Sequence, residues 1–115
     1  MRVYNLTRHQ PLMTQGELAD SLLKRLRGLI SHPPLQSGDG LLLPGCRWIH
    51  TFLMDFPIDV LYLDSKHRVV HLTPDMSPNR IGPPVPKAHL VVELPSGTIA
   101  QTETEVGDQL EIRNA

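Results

Sequence analysis

Apolar positions in this chain come in short runs broken by proline- and glycine-bearing stretches, with one longer periodic segment. In that segment, Glu17 to Ile30, residues Leu18, Leu22, Leu26, Leu29 and Ile30 fall at helical spacing and form one apolar stripe. Glu17 and Asp20 stand near its start, and Lys24, Arg25 and Arg27 towards its end, the order that a helix dipole favours. Gly28 suits a cap and Pro33-Pro34 prevent continuation, so the pattern predicts one short helix near the N-terminus.

The other runs are too short for helices. Arg2–Leu6, Leu41–Leu43, Ile58–Leu63, Arg68–Leu72, Leu90–Leu94 and Gln109–Arg113 read as strands bounded by turn residues. Ile58 to Leu63 is apolar on both faces apart from Asp59, as expected of a central strand covered on both sides. Asp64-Ser65-Lys66-His67 forms the turn of a hairpin, and Pro95-Ser96-Gly97 forms another turn. Thr73 to Lys87 carries five prolines and no periodicity, so it reads as a long loop, either functional or a plain surface connection. Six to seven short strands and one helix predict a mainly β (α+β) fold, a small antiparallel β sandwich or partly open barrel.

Composition narrows the function more than the fold. At 115 residues the chain is expected to be a single domain, 1–115, with one core and no staples. A formal net charge of −1 gives no reason to expect a nucleic-acid or membrane partner. The single Cys rules out an intramolecular disulfide. Met1 leads directly into Arg2-Val3-Tyr4 without an apolar leader, and no run is long enough to span a bilayer, so a soluble, cytoplasmic monomer is expected. The six histidines lack ligand-like spacing, and no phosphate-binding, serine-elbow or paired-cysteine motif occurs, so neither metal nor cofactor is expected.

Candidate chemistry gathers between Cys46 and Asp64, which hold the only Cys, the only Trp and both Phe. If Trp48 to Met54 is extended, Trp48, His50, Phe52 and Met54 share one face, and His50 is either a packed core histidine or the floor of a pocket. Asp59 within an apolar strand needs a partner or a function. His50, Arg27 and Arg80 are candidates for that partner, and Arg27, Asp59 and Glu93 for a buried structural network. Cys46 and His50 suggest a nucleophile and base, but four residues along one strand separate them by ~13 Å.

These residues resemble a known family, the bacterial and archaeal proteins grouped as domain of unknown function 192. The resemblance rests on Arg27-Gly28-Leu29, Gly40-Leu41-Leu42-Leu43, Cys46, Ile49-His50-Thr51-Phe52, Met54 and Pro57-Ile58-Asp59-Val60. It continues through Leu63-Asp64, Pro78, Arg80, Glu93-Leu94-Pro95-Ser96-Gly97 and Gly107-Asp108. It implies a small β sandwich with a short helix and no established activity, and some relatives carry an export signal. Asp55 stands where the family usually has a basic residue, and Leu53 replaces a second Phe.

Three functions follow as expectations. The first is a module that binds a small polar ligand, a carbohydrate or metabolite, where Trp48, His50, Asp59 and Arg80 converge. The second is a hydrolase with His50 or Asp59 as acid or base. The third is a structural or interaction domain that engages a protein partner without a small-molecule ligand.

Overall fold

Short apolar runs bury themselves only by pairing edge to edge and stacking face to face. The computed structural model describes residues 1–19 and 33–114. It contains β1 (Arg2–Asn5), β2 (Gln10–Met13), β3 (Glu17–Leu18), β4 (Leu41–Pro44), β5 (Ile58–Leu63), β6 (Val69–Met76) and β7 (Leu90–Pro95), followed by a short helix α1 (Thr98–Thr102) and β8 (Leu110–Arg113). A three-stranded sheet runs β2-β1-β8 and a five-stranded sheet runs β3-β4-β7-β5-β6. Every pairing is antiparallel except β3 with β4.

Strand β5 shows how the layers form. All six of its residues are buried. Ile58, Val60 and Tyr62 point to one side and join Leu41, Leu43 and Val91 in a core closed by Ile49, Met54 and Phe56. Leu61 and Leu63 point to the other side and join Leu42, Val92 and Leu94 against Val3, Leu12, Met13 and Leu110 of the smaller sheet. The five-stranded sheet is thus covered on one face by the second sheet and on the other by irregular chain. That double cover is why β5 and β7 read as continuous apolar runs.

The mainly β expectation holds, with eight strands among the described residues. Several elements differ from the sequence reading. The helix expected from Glu17 does not start there: Glu17 and Leu18 pair with Leu41 and Leu42 as strand β3, while residues 20–32 lie outside the described part. Helix α1, the one helix among the described residues, lies near the C-terminal end. Its five residues between Gly97 and Glu103, both left-handed, are too few to show a periodicity.

The loop expected from Thr73 begins later, because β6 continues to Met76, which pairs with Ile58. Three steps along β6 (Thr73 to Met76) face two along β5 (Ile58 to Val60), which marks a bulge. Pro74 sits in this bulge on an edge strand, where a missing N–H is tolerated. At the end of the smaller sheet, Asn5 is fully buried and donates to Asp108 Oδ2 at 3.0 Å and Thr104 Oγ1 at 3.1 Å. Arg8 Nε donates to the same carboxylate at 3.0 Å.

Candidate functional site

Between Cys46 and Phe56 the chain is not a strand, and inward and outward residues are sorted by turns. Ile49, Met54 and Phe56 anchor in the core, and Thr51 is fully buried. Trp48, Phe52 and Leu53 stand outside. The expected shared face of Trp48, His50, Phe52 and Met54 therefore loses Met54, because the chain turns at Phe52-Leu53, with Leu53 at φ 63°. The first three side chains do associate. The His50 ring stacks on Phe52 with centroids 4.9 Å apart, and Trp48 meets His50 edge-on at 6.2 Å.

A second segment, residues 79–82, zips onto this one. Thr51 N–H donates to Arg80 O at 2.9 Å, Asn79 N–H to Thr51 O at 2.9 Å, and Gly82 N–H to Ile49 O at 3.0 Å. Thr51 Oγ1 accepts the Arg80 N–H at 2.9 Å and donates to Ser77 O at 2.6 Å. Asn79 Oδ1 accepts the Leu53 N–H at 3.2 Å. His50 and Ile81 face each other in an isolated antiparallel bridge. The result is a ridge carrying Trp48, Phe52, Leu53 and Ile81, each between 40% and 72% exposed, with exposed Arg80 beside them. Phe52 N–H donates to His50 Nδ1 at 3.2 Å, so the neutral imidazole carries its proton on Nε2.

Trp48 and His50 thus come together with the Arg80 backbone bonded alongside at Thr51, and Asp59 does not join them. Its neighbours on the same face of β5 are Leu61 and Leu63, which pack towards the smaller sheet, whereas the ridge overlies the other face. Both carboxylate oxygens have backbone partners. Oδ1 accepts the Asp75 N–H at 2.8 Å and Oδ2 the Ile99 N–H at 2.7 Å. Neither His50 nor Arg80 is its partner, and Arg27 lies outside the described residues. A buried carboxylate holding two amides is an anchor for the β6 bulge and helix α1.

Cys46 and His50 do not form a nucleophile–base pair, as their separation along the chain led one to expect. Cys46 Sγ donates to Trp48 O at 3.0 Å, and the acceptor nitrogen of His50 is taken by the Phe52 amide.

Glu93 does not share a network with Asp59, because it points to the opposite face of the sheet. Its register partners are Leu41 and Val60, on the side closed by Ile49 and Met54. Its Oε2 is buried without a hydrogen-bond partner, and burial pushes its carboxyl up to about 7. Tyr62 lies diagonally across on the same face, with Val60 opposite Glu93 and Tyr62 opposite Val91. Its hydroxyl is also buried without a partner. Burial first, then the neighbouring Cys46 and Glu93, push it up to about 12. The sequence signal for Glu93 was the same as for Asp59, a carboxylate in an apolar strand; which face each occupies depends on register. Leu53 and Ile81 were not legible as surface residues, since an apolar side chain in a loop is equally consistent with burial.

The family model described as Uncharacterized ACR, COG1430, domain of unknown function 192, matches residues 4–112. A UPF0127 protein of Pyrococcus horikoshii is 36% identical over 104 residues, covering 86% of this chain and 90% of that protein. A UPF0127 protein of Thermococcus sibiricus is 32% identical, covering 93% of this chain and 71% of its relative. The crystal structure of a protein of unknown function from Novosphingobium aromaticivorans has the same fold, with a TM-score of 0.82 and 19% identity. That match covers 96% of this chain and 82% of the other. No helix among the described residues is long and apolar enough to cross a membrane.

Proposed function

We propose, for a chain that belongs to the domain of unknown function 192 family, that it works as an interaction module docking a protein partner on the ridge of Trp48, Phe52, Leu53 and Ile81. The observation that carries this reading is the concentration of exposed apolar side chains on two segments locked together by Thr51. Exposed apolar patches with a polar rim mark interaction surfaces, and a Trp with a flanking Arg is the composition typical of binding hot spots. The ridge is also pre-organised, because its side chains sit on backbone already fixed by hydrogen bonds, which lowers the ordering cost of association.

Leu53 adds support. A leucine in the left-handed region is disfavoured by about 1–2 kcal/mol, and here the strain holds its side chain in water at 72% exposure. Asp59 is occupied by the Asp75 and Ile99 amides, which weighs against its part in the small-ligand reading with His50 and Arg80 and in the hydrolase reading with His50.

The test is site-specific photo-crosslinking in the source cells. A photoreactive residue in place of Leu53 is expected to trap one dominant protein, and the same residue in place of Gln101, exposed on helix α1, to trap none. Identical adducts from both sites, or none from either, would sink the proposal.

A further inference from the structure

We propose that the groove between strand β6 and the proline-rich loop is a second site, independent of the ridge, which takes a small apolar molecule bearing a carboxylate. The groove has a volume of about 340 Å³ and is walled by Val70, Pro83, Pro84 and Val85, with His71 and Lys87 as its ionisable lining residues. That volume lies at the low end of the roughly 300–1,000 Å³ found for small-molecule pockets. No carboxylate lines it, so its charge complement is an anion. The walls are proline and valine carbon. A compact hydrated ion gains nothing from them, whereas a flat apolar body with one carboxylate gains from the walls and the Lys87 ammonium together.

The site is built rather than incidental. Prolines hold the wall in one backbone shape. Val85 N–H is tied to Arg47 O at 2.8 Å and Ala88 N–H to Val85 O at 3.0 Å. The His71 ring is held edge-on against Tyr62 at 5.4 Å. The unpaired Tyr62 hydroxyl lies beneath Gly82, the residue that leads into Pro83. A Cβ at Gly82 would stand 3.0 Å from it, so the loop passes close over that hydroxyl. The start of the loop wall is thereby packed directly on the buried Tyr62 of β5.

Nitrogen-15 correlation spectra of the full chain, titrated with benzoate and separately with benzamide at neutral pH, test the assignment. Benzoate is expected to move the amides of Val70, His71 and Val85 saturably. The neutral amide should bind roughly tenfold more weakly, and Lys87→Gln, an exposed position, should weaken benzoate by a similar factor, the size of one charge-assisted hydrogen bond. Shifts that do not saturate, equal binding of benzamide, or unchanged benzoate affinity in Lys87→Gln would each overturn the proposal. None of these outcomes depends on the ridge.

Discussion

Asp59 Oδ2 accepts the backbone N–H of Ile99 at 2.7 Å, joining the buried middle sheet to the short helix α1 across 40 residues of chain. Its other oxygen holds the Asp75 N–H that the β6 bulge turns away from the ladder. One side chain thus satisfies two amides that secondary structure leaves unpaired.

Asp59→Ala is expected to destabilise the protein rather than to impair recognition selectively. Two hydrogen bonds are lost and two amides are left unpaired, a cost of about 3 kcal/mol. Asp59→Asn, which keeps one acceptor, should lie between wild type and Ala. Urea unfolding measures both. An Asp59→Ala protein as stable as wild type would show that the anchor is not structural.

Glu93 makes stability depend on pH in the direction opposite to a paired carboxylate. Burial raises its pKa from 4.5 to about 7 in the folded chain, so the folded state binds its proton more tightly than the unfolded state. Its contribution is complete below 4.5, falls as pH rises, and is lost above about 7. Glu93→Gln should therefore gain on wild type between pH 4.5 and pH 8, by roughly 3 kcal/mol. Asp108 works the other way: although burial pushes its carboxyl up, hydrogen bonds from Arg8, Asn5 and the Glu105 amide hold it below the usual range. Its contribution is present above 3.8 and is lost as pH falls further. Chemical denaturation of wild type and Glu93→Gln across this range decides; parallel pH curves would contradict the assignment.

Thr51→Val removes a hydroxyl that accepts from Arg80 and donates to Ser77. About 2 kcal/mol of stability should be lost, with Thr51→Ser retaining most of it. Amide exchange should speed up at Asn79, Arg80 and Gly82, whose N–H groups lie on or beside this zipper. Exchange that stays unchanged there would mean that Thr51 does not fix the ridge.

Leu53→Asn separates fold from function. Asn tolerates the left-handed region, so relief of backbone strain at this exposed position is expected to stabilise the protein by up to about 1 kcal/mol. The same change removes apolar area from the ridge and should weaken capture of the crosslinked partner. A variant that is more stable and binds as well as wild type would remove Leu53 from the docking surface.

The strands were legible wherever apolar residues run together, as at Ile58–Leu63 and Leu90–Leu94, because an element covered on both faces must be apolar on both. The turn at Asp64 was legible too, since its side chain accepts the Lys66 and Arg68 amides locally. Strand β2 escaped notice because Gln10–Met13 is held by β1 and carries no pattern of its own, and Glu17–Leu18 read as the start of a helix because Leu18 opens a helical spacing, whereas pairing with β4 makes it strand β3.

By itself the sequence determined the class of fold, the existence of buried carboxylates at 59 and 93, and the gathering of rare residues near His50. Those features follow from composition along a strand, which is local. Only the tertiary structure decided that Asp59 faces the smaller sheet while Glu93 faces the irregular cover, and that Thr51 joins His50 to Arg80. Side chains alternate every residue along a strand, so the face each one takes depends on register with strands distant in sequence. Which apolar residues remain in water, Leu53 and Ile81 among them, is decided only after the rest of the chain has packed.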